Sequence, residues 1–186
     1  MDSDVSAGSG TTTVVGRLAL GITLLAFGLG TTGVIDGVAS SDAMSVAHYV
    51  GGVALFLIGL LAFRGGDTAS GTGFTVLGAL WFTWAVADHG SAHAAGLFLL
   101  LFALVALTLT LAGGDSLGQL MYGLLFLAML VLAVASFADS SSLAKVGGWV
   151  AAASGAVAWY AATAAVAHWP TAMPRRAAGR GVTAAG

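Results

Sequence analysis

The fold is decided by long apolar stretches such as residues 97–111, which read LFLLLFALVALTLTL. No charged residue interrupts this stretch, and residues 97–107 do not alternate between apolar and polar side chains. A strand of a membrane barrel alternates over about ten residues, whereas a helix needs about twenty mostly apolar residues to cross hydrocarbon roughly 30 Å thick. The stretch therefore indicates a membrane-spanning helix.

The composition of the whole chain agrees with this interpretation. Of its 186 residues, 58% are hydrophobic and 8% are charged. Such a chain is too apolar to be disordered, and six basic and eight acidic residues are too few to cover the surface of a water-soluble globule. A basic face for nucleic acid is lacking. Without cysteine, the chain can form neither a disulfide nor a thiolate metal site.

Six stretches meet the length criterion, and short polar joints separate them. We therefore predict an all-α polytopic membrane protein, a bundle of six transmembrane helices in which neighbouring helices are antiparallel. The predicted spans are residues 14–34, 43–63, 69–87, 92–112, 117–137 and 145–167. Residues 1–13 are predicted to be a disordered tail, residues 14–168 the transmembrane domain, and residues 169–186 a basic cytoplasmic tail.

The few charged residues predict the orientation of the bundle. With six spans, both termini and the second and fourth joints lie on one side of the membrane. Cytoplasmic segments carry an excess of Lys and Arg, so we expect this side to be cytoplasmic in a multi-pass protein of the plasma membrane. Lys145 lies on the other side, and the arginines of the basic side are Arg17, Arg64, Arg175, Arg176 and Arg180.

The residue types within the spans predict which helices pack against others and which side chains lie at the membrane surface. Small residues recur every four positions in the last span, for example at Gly148 and Ala152 or Ala151 and Gly155, which lets helix backbones approach closely. We therefore place this span at a helix–helix interface. Amphipathic rings favour the membrane surface, and those expected toward the outer surface are Tyr49, Trp81, Trp84 and Trp149.

Titratable residues gather near the ends of the spans. A charge at the centre of the membrane costs at least roughly 2.5–3.5 kcal/mol, and its absence here argues against a pump. His48 is either a pH-sensitive group or a histidine hydrogen-bonded at the interface. Asp88, His89 and His93 have the spacing of a metal site, but a solvated loop explains them equally well, and we predict no metal or other cofactor. With neither a catalytic triad nor a phosphate loop, an enzyme is not expected.

Several stretches resemble the acetate uptake transporters, or succinate–acetate permeases. The match is clear at residues 51–54 (GGVA) and 59–68 (GLLAFRGGDT). The resemblance implies a hexamer in which each protomer holds its own pathway for small monocarboxylates such as acetate, and succinate. An acetate ion that crosses an apolar ring loses its hydration, so we expect uptake as the acid or together with a proton. The match continues at Phe74, Thr75, Gly78, Trp81, Gln119, Gly148, Trp149, Gly155, Ala156, Ala158 and Tyr160.

The resemblance also implies which residues narrow the pathway. Members of the family use a phenylalanine, a tyrosine and a leucine from three helices, and these positions correspond to Phe27, Leu77 and Leu125. A hydroxyl is therefore lost at Leu77. The spans also offer uncharged polar side chains as candidates for lining the pathway, namely Thr31, Thr72, Thr75 and Gln119.

Departures from the family keep two alternatives open. The opening Asn-Pro-Ala-Pro-Leu-Gly-Leu signature is missing, since residues 16–20 read GRLAL and the chain contains no Asn. Ala62 stands where an acidic residue often ends the second helix. One alternative is a non-transporting scaffold or sensor on the same frame. The other is a channel for urea, ammonia or water, although the acidic pore residues known in such channels have no Glu counterpart here.

Overall fold

Helices make up nearly all of the structure, a computed structural model that describes residues 2–37, 40–87 and 91–169. Helix α1 is Asp2–Thr32. The second apolar segment runs through α2 (Ser40–Val46), a π-helical stretch at Ala47–Ala54 and α3 (Leu55–Arg64). The remaining helices are α4 (Thr68–Val86), α5 (Ala92–Leu111), α6 (Ser116–Phe137) and α7 (Ser141–Val166). No strand occurs in the described ranges, and the predicted all-α fold is confirmed.

Five helical segments in these ranges are long and apolar enough to cross a membrane. The remaining predicted span corresponds to α4, which is not among these five. This helix of 19 residues carries several Gly and Thr. It nevertheless packs along α3 and the π-helical stretch and so belongs to the bundle. The selected segments are Gly10–Thr32, Asp42–Arg64, Ala92–Leu111, Ser116–Phe137 and Ser141–Val166.

Four of the short polar loops predicted from the sequence contain a residue that caps the following helix. At the beginning of four helices, a side-chain oxygen accepts a hydrogen bond from a backbone N–H three residues further on, which satisfies a donor that has no partner inside the helix. This bonding fixes the points at which the chain turns back into the apolar bundle. The capping residues are Asp67, Ser91, Asp115 and Ser140.

Two features of the elements differ from the sequence prediction. Helix α1 begins at Asp2, within the predicted tail, because extending an existing helix is far less costly than nucleating one. The π-helical stretch lies inside the second span, where Gly51 and Gly52 bring its backbone close to α1 and α4. Of the predicted tail at residues 169–186, only Trp169 lies within the described residues.

Small residues hold α7 against its neighbours, as their spacing predicts. A Cβ added to Gly28 of α1 would lie 2.5 Å from the backbone nitrogen of Ala152, so the two helices touch through their backbones. On the α6 side, the buried Ser154 hydroxyl donates a hydrogen bond of 2.8 Å to the carbonyl of Met121. These contacts place α7 between α1 and α6, with α5 packed on the far side of α6.

Helices α4 and α5 close the bundle with little backbone contact. Their contact is made by aromatic side chains, with Trp81 against Phe102 and Trp84 against Phe98. The buried core lies inside this arrangement and includes Leu20, Leu24, Phe74, Leu77, Trp81, Phe102, Met121, Leu125 and Met129.

Candidate functional site

The three residues of the predicted constriction belong to one apolar cluster. Leu77 of α4 and Leu125 of α6 have no solvent-exposed surface. Phe27 of α1 is half-buried and packs against the same cluster. The fold therefore places these side chains from three helices in one core cluster, and the constriction itself stays a prediction.

Aromatic rings surround Phe27 in an arrangement that sequence reasoning missed. The Phe27 ring meets the edge of Trp81 with 5.1 Å between ring centroids, and Trp81 meets Phe102 at 5.2 Å. Trp81 is 1% exposed, so it packs inside the bundle and is not a surface anchor as its residue type had suggested. Its spacing of four residues from Leu77 is the signal that would have placed both on one face of α4.

Polar side-chain atoms of α4 are buried in the bundle, and one of them, the Thr75 hydroxyl, lies against Gly59 of α3. The Thr75 hydroxyl and the Trp81 indole N–H have no hydrogen-bond partner among the described residues. Buried polar groups are bonded in the large majority of cases, and both atoms can donate a hydrogen bond. The Thr75 hydroxyl lies between α3 and α4, whereas Trp81 lies beside Phe27, so the two donors occupy different parts of the bundle.

The other candidate lining residues lie apart from one another. Thr31 donates a hydrogen bond of 2.7 Å to the carbonyl of Phe27 and lies next to Gly148 of α7. Thr72 is exposed and donates to the carbonyl of Thr68. Gln119 is exposed at the start of α6. The candidates Thr31, Thr72, Thr75 and Gln119 thus do not form a single polar row.

His48 has an aromatic environment. It lies in the π-helical stretch, half-buried, and stacks on Tyr49 with 4.7 Å between ring centroids. The edge of Phe82 approaches it at 5.0 Å. Asp88 and His89, two of the three weak metal candidates, lie outside the described residues. His93 is exposed, and no group of three possible metal ligands occurs in the part of the chain that is described.

A polar cavity opens at the end of the bundle that carries Arg17, Asp67 and Asp115, and we call it the vestibule. Its volume is about 690 Å³. Its lining includes Phe74 and Tyr122 in addition to the three charged residues. Phe74 lies three residues before Leu77 and Tyr122 three residues before Leu125, which places each pair on one helix face, a turn apart. The vestibule therefore ends about one helical turn from the predicted constriction.

Arg17 and Asp115 form an ion pair in the vestibule. The Arg17 guanidinium donates to Oδ1 of Asp115, while Oδ2 of the same carboxylate accepts from the N–H of Gly118. The pair also lines a second cavity of about 450 Å³ between α1, α6 and α7, called here the side cavity. Sequence reasoning treated Arg17 and Asp115 as separate charges at span ends, because 98 positions separate them in the chain.

Asp67 is the third charged residue of the vestibule. Its carboxylate accepts hydrogen bonds of 3.0 Å from the Thr13 hydroxyl and from the Ser70 N–H. Burial raises the pKa of Asp67, but the hydrogen bonds from Ser70 and Thr13 and the positive charge of Arg17 outweigh it and leave the pKa below its ordinary value. Asp67 is therefore a negative charge in the vestibule at neutral pH.

Comparisons with known proteins give a matching family model and a similar solved structure. Residues 5–173 match the sequence model that describes the GPR1/FUN34/yaaH family. The fold is similar to the solved structure of the bacterial acetate channel SatP, with a TM-score of 0.77 and 23% identity over 84% of this chain and 92% of that one. No curated protein sequence matches the chain.

Proposed function

We propose that this chain, which belongs to the GPR1/FUN34/yaaH family, is a membrane channel or transporter for small monocarboxylates such as acetate. Family membership supports a role in transport, and the similar fold of an acetate channel supports the choice of solute. The observation that carries the proposal is the vestibule, because its inner side chains Phe74 and Tyr122 lie a turn from Leu77 and Leu125. A polar cavity leading to an apolar constriction is the arrangement expected of a selective pathway.

The chemistry of the constriction favours a solute that crosses without a full charge. A carboxylate that leaves water for an apolar ring loses hydration that few groups there can replace. The Trp81 indole N–H is a buried donor beside Phe27, and a single donor replaces little of the hydration of an anion. We therefore propose passage as the acid or together with a proton, for acetate and for succinate at lower efficiency.

The proposed assembly and location follow from the family and from the distribution of charge. We place the chain in the plasma membrane with both termini in the cytoplasm, so that the vestibule opens to the cell interior. Its partners are the lipid bilayer, the transported acid and further copies of the chain. Exposed apolar residues on the outside of the bundle, such as Leu57, Leu61 and Leu101, suit lipid or a second protomer, and the family resemblance implies a hexamer.

Uptake of labelled acetate into proteoliposomes tests this proposal. We expect an initial rate above that of protein-free vesicles and a further increase when the outside is made acidic. Rates equal to those of empty vesicles, with and without the pH gradient, would contradict transport and favour the scaffold alternative. Stopped-flow light scattering in urea tests the neutral-solute alternative, for which we expect no acceleration.

A further inference from the structure

We propose that Arg17 is a binding site for the carboxylate of the permeant and that Asp115 is its built-in competitor. The proposal rests on the function proposed above and gives that function a specific point of contact. In the structure, the Arg17 guanidinium binds a carboxylate, and that carboxylate belongs to the protein itself. A small monocarboxylate offers the same two oxygens to the same guanidinium.

Arg17 has donors to spare. A guanidinium carries five N–H donors arranged in a fork that suits two carboxylate oxygens at once. Within the described residues, the hydrogen bond that Arg17 makes goes from one of its terminal nitrogens to one oxygen of Asp115. The Arg17 side chain is 20% exposed and lines both the vestibule and the side cavity. A solute in either cavity therefore has access to the same cation.

Asp115 is placed so that it can give up Arg17 without becoming an isolated buried charge. Its side chain is 51% exposed, and its second oxygen keeps the cap on α6 through the N–H of Gly118. Ion pairs between partly exposed groups contribute little to stability. Replacement of the aspartate by a solute carboxylate therefore exchanges one weak contact for another, which is what reversible binding of a permeant requires.

The other charge in the vestibule does not serve the same purpose. Asp67 is bound by Thr13, one turn before Arg17 on α1, and by Ser70. With one positive and two negative side chains, the three charged residues of the vestibule sum to −1. An incoming anion is therefore repelled by the vestibule as a whole, and Arg17 is the group that attracts it.

Four variants separate binding by Arg17 from an effect of overall charge. Arg17→Gln removes the cation, and Asp115→Asn removes its competitor while an amide can still cap α6. Asp67→Asn changes the vestibule charge by the same amount as Asp115→Asn but leaves the ion pair intact. The double variant Arg17→Gln with Asp115→Asn keeps the wild-type charge sum of −1 without a guanidinium.

Binding of ¹³C-acetate to purified protein in detergent, followed by NMR line broadening, measures the affinity separately from transport. We expect Arg17→Gln to weaken binding roughly tenfold or more and Asp115→Asn to strengthen it about two- to fivefold. Asp67→Asn should have a smaller effect than Asp115→Asn, and the double variant should bind as weakly as Arg17→Gln. Thermal unfolding of each variant shows whether it is folded.

The inference is overturned if folded Arg17→Gln binds acetate like the wild type, or if the charge-matched double variant does. An equal increase in acetate affinity for Asp67→Asn and Asp115→Asn would also overturn the inference, because the change in overall charge would then explain both increases. If Arg17→Gln takes up acetate into proteoliposomes with wild-type kinetics, the proposed transport function is supported and the proposed binding site at Arg17 is rejected. Acetate binding that depends on Arg17, in a protein that shows no uptake, would support the site and contradict the proposed function.

Discussion

The proposed constriction can be tested at single side chains. Leu125 is fully buried in the cluster that also holds Leu77 and packs against Phe27. Leu125→Ala should enlarge the opening, so we expect uptake of propionate and butyrate to rise several-fold relative to acetate. Competition uptake assays in proteoliposomes measure this ratio.

Leu132→Ala is the matched control for this variant. Leu132 lies two turns further along α6 and is 5% exposed. Both truncations should cost about 2–5 kcal/mol of stability through the lost contacts and the cavity. If both variants change the uptake of propionate and butyrate relative to acetate by the same factor, then loosening of α6, and not the width at Leu125, alters selectivity.

The hydroxyl of Thr75 can be tested in the same way, because it contributes no internal hydrogen bond in the described structure. Thr75→Val keeps the shape and removes the donor, and removal of an unpaired polar group is close to neutral for folding. We therefore expect an unchanged unfolding temperature together with a reduced initial rate of acetate uptake, by about two- to tenfold.

Thr23→Val supplies the contrast for Thr75. The Thr23 hydroxyl is fully buried and donates a hydrogen bond of 2.8 Å to the carbonyl of Ala19. Its loss should lower stability by about 0.5–1.5 kcal/mol and leave uptake unchanged. If Thr75→Val destabilises the protein and leaves uptake intact, the hydroxyl serves packing and not the permeant.

At the scale of elements, the contact between α1 and α7 depends on the absence of side chains. A Cβ at Gly28 would lie 2.5 Å from backbone atoms of α7, which cannot move as a side chain can. Gly28→Ala should therefore force the two helices apart and lower the stability by about 1–3 kcal/mol. Thermal unfolding in detergent measures the change.

Gly123→Ala in α6 is the control for Gly28→Ala. A Cβ there would meet a single atom of Thr110, at 3.7 Å, which is ordinary contact. Alanine is also the better helix former by roughly 1 kcal/mol. We therefore expect this variant to unfold at or above the wild-type temperature, and a loss as large as that of Gly28→Ala would show that any added methyl is harmful.

Asp67, which caps the start of α4, should make the stability of the protein depend on pH. Its pKa is lower in the folded chain, so its ionised form stabilises the fold at every pH above the unfolded value of about 3.9. The stabilisation is lost as the pH falls through the lower, folded pKa. We expect Asp67→Ala to cost about 1 kcal/mol, constant between pH 5 and 8 and shrinking below about pH 4, as measured by thermal unfolding against pH.

Asp67→Asn separates the charge from the cap in this experiment, because asparagine also caps helices well. It should be less destabilised than Asp67→Ala at neutral pH. A cost for Asp67→Ala that grows as the pH falls below 4 would contradict the assignment of a lowered pKa.

At the scale of the whole molecule, the orientation in the membrane is open to a direct measurement. The chain contains no cysteine, so each introduced cysteine is the single reactive thiol. Ser116 and Ser142 are exposed at opposite ends of the bundle. We expect an impermeant maleimide to label Ser142→Cys in intact cells and Ser116→Cys only after permeabilisation. The reverse pattern would place the vestibule outside.

The sequence predicts the bundle better than it predicts the vestibule, for a physical reason. Span positions follow from local hydropathy, and the packing of α7 follows from the spacing of its small residues. The pairing of Arg17 with Asp115 depends on how α1 lies against α6, which no local pattern encodes. The start of α1 and the π-helical stretch were missed because apolar composition sets neither a helix boundary nor the backbone bonding within a helix.

Tyr122, which lines the vestibule, packs against Gly73 of α4, and this contact bears on how the protein can change over generations. A Cβ at that position would lie 3.1 Å from the Tyr122 hydroxyl, tighter than ordinary contact, beside the inner end of the vestibule. Any larger residue at 73 is therefore tolerated best together with a shorter one at 122. A larger residue at 73 is therefore expected among descendants that already carry a shorter residue at 122.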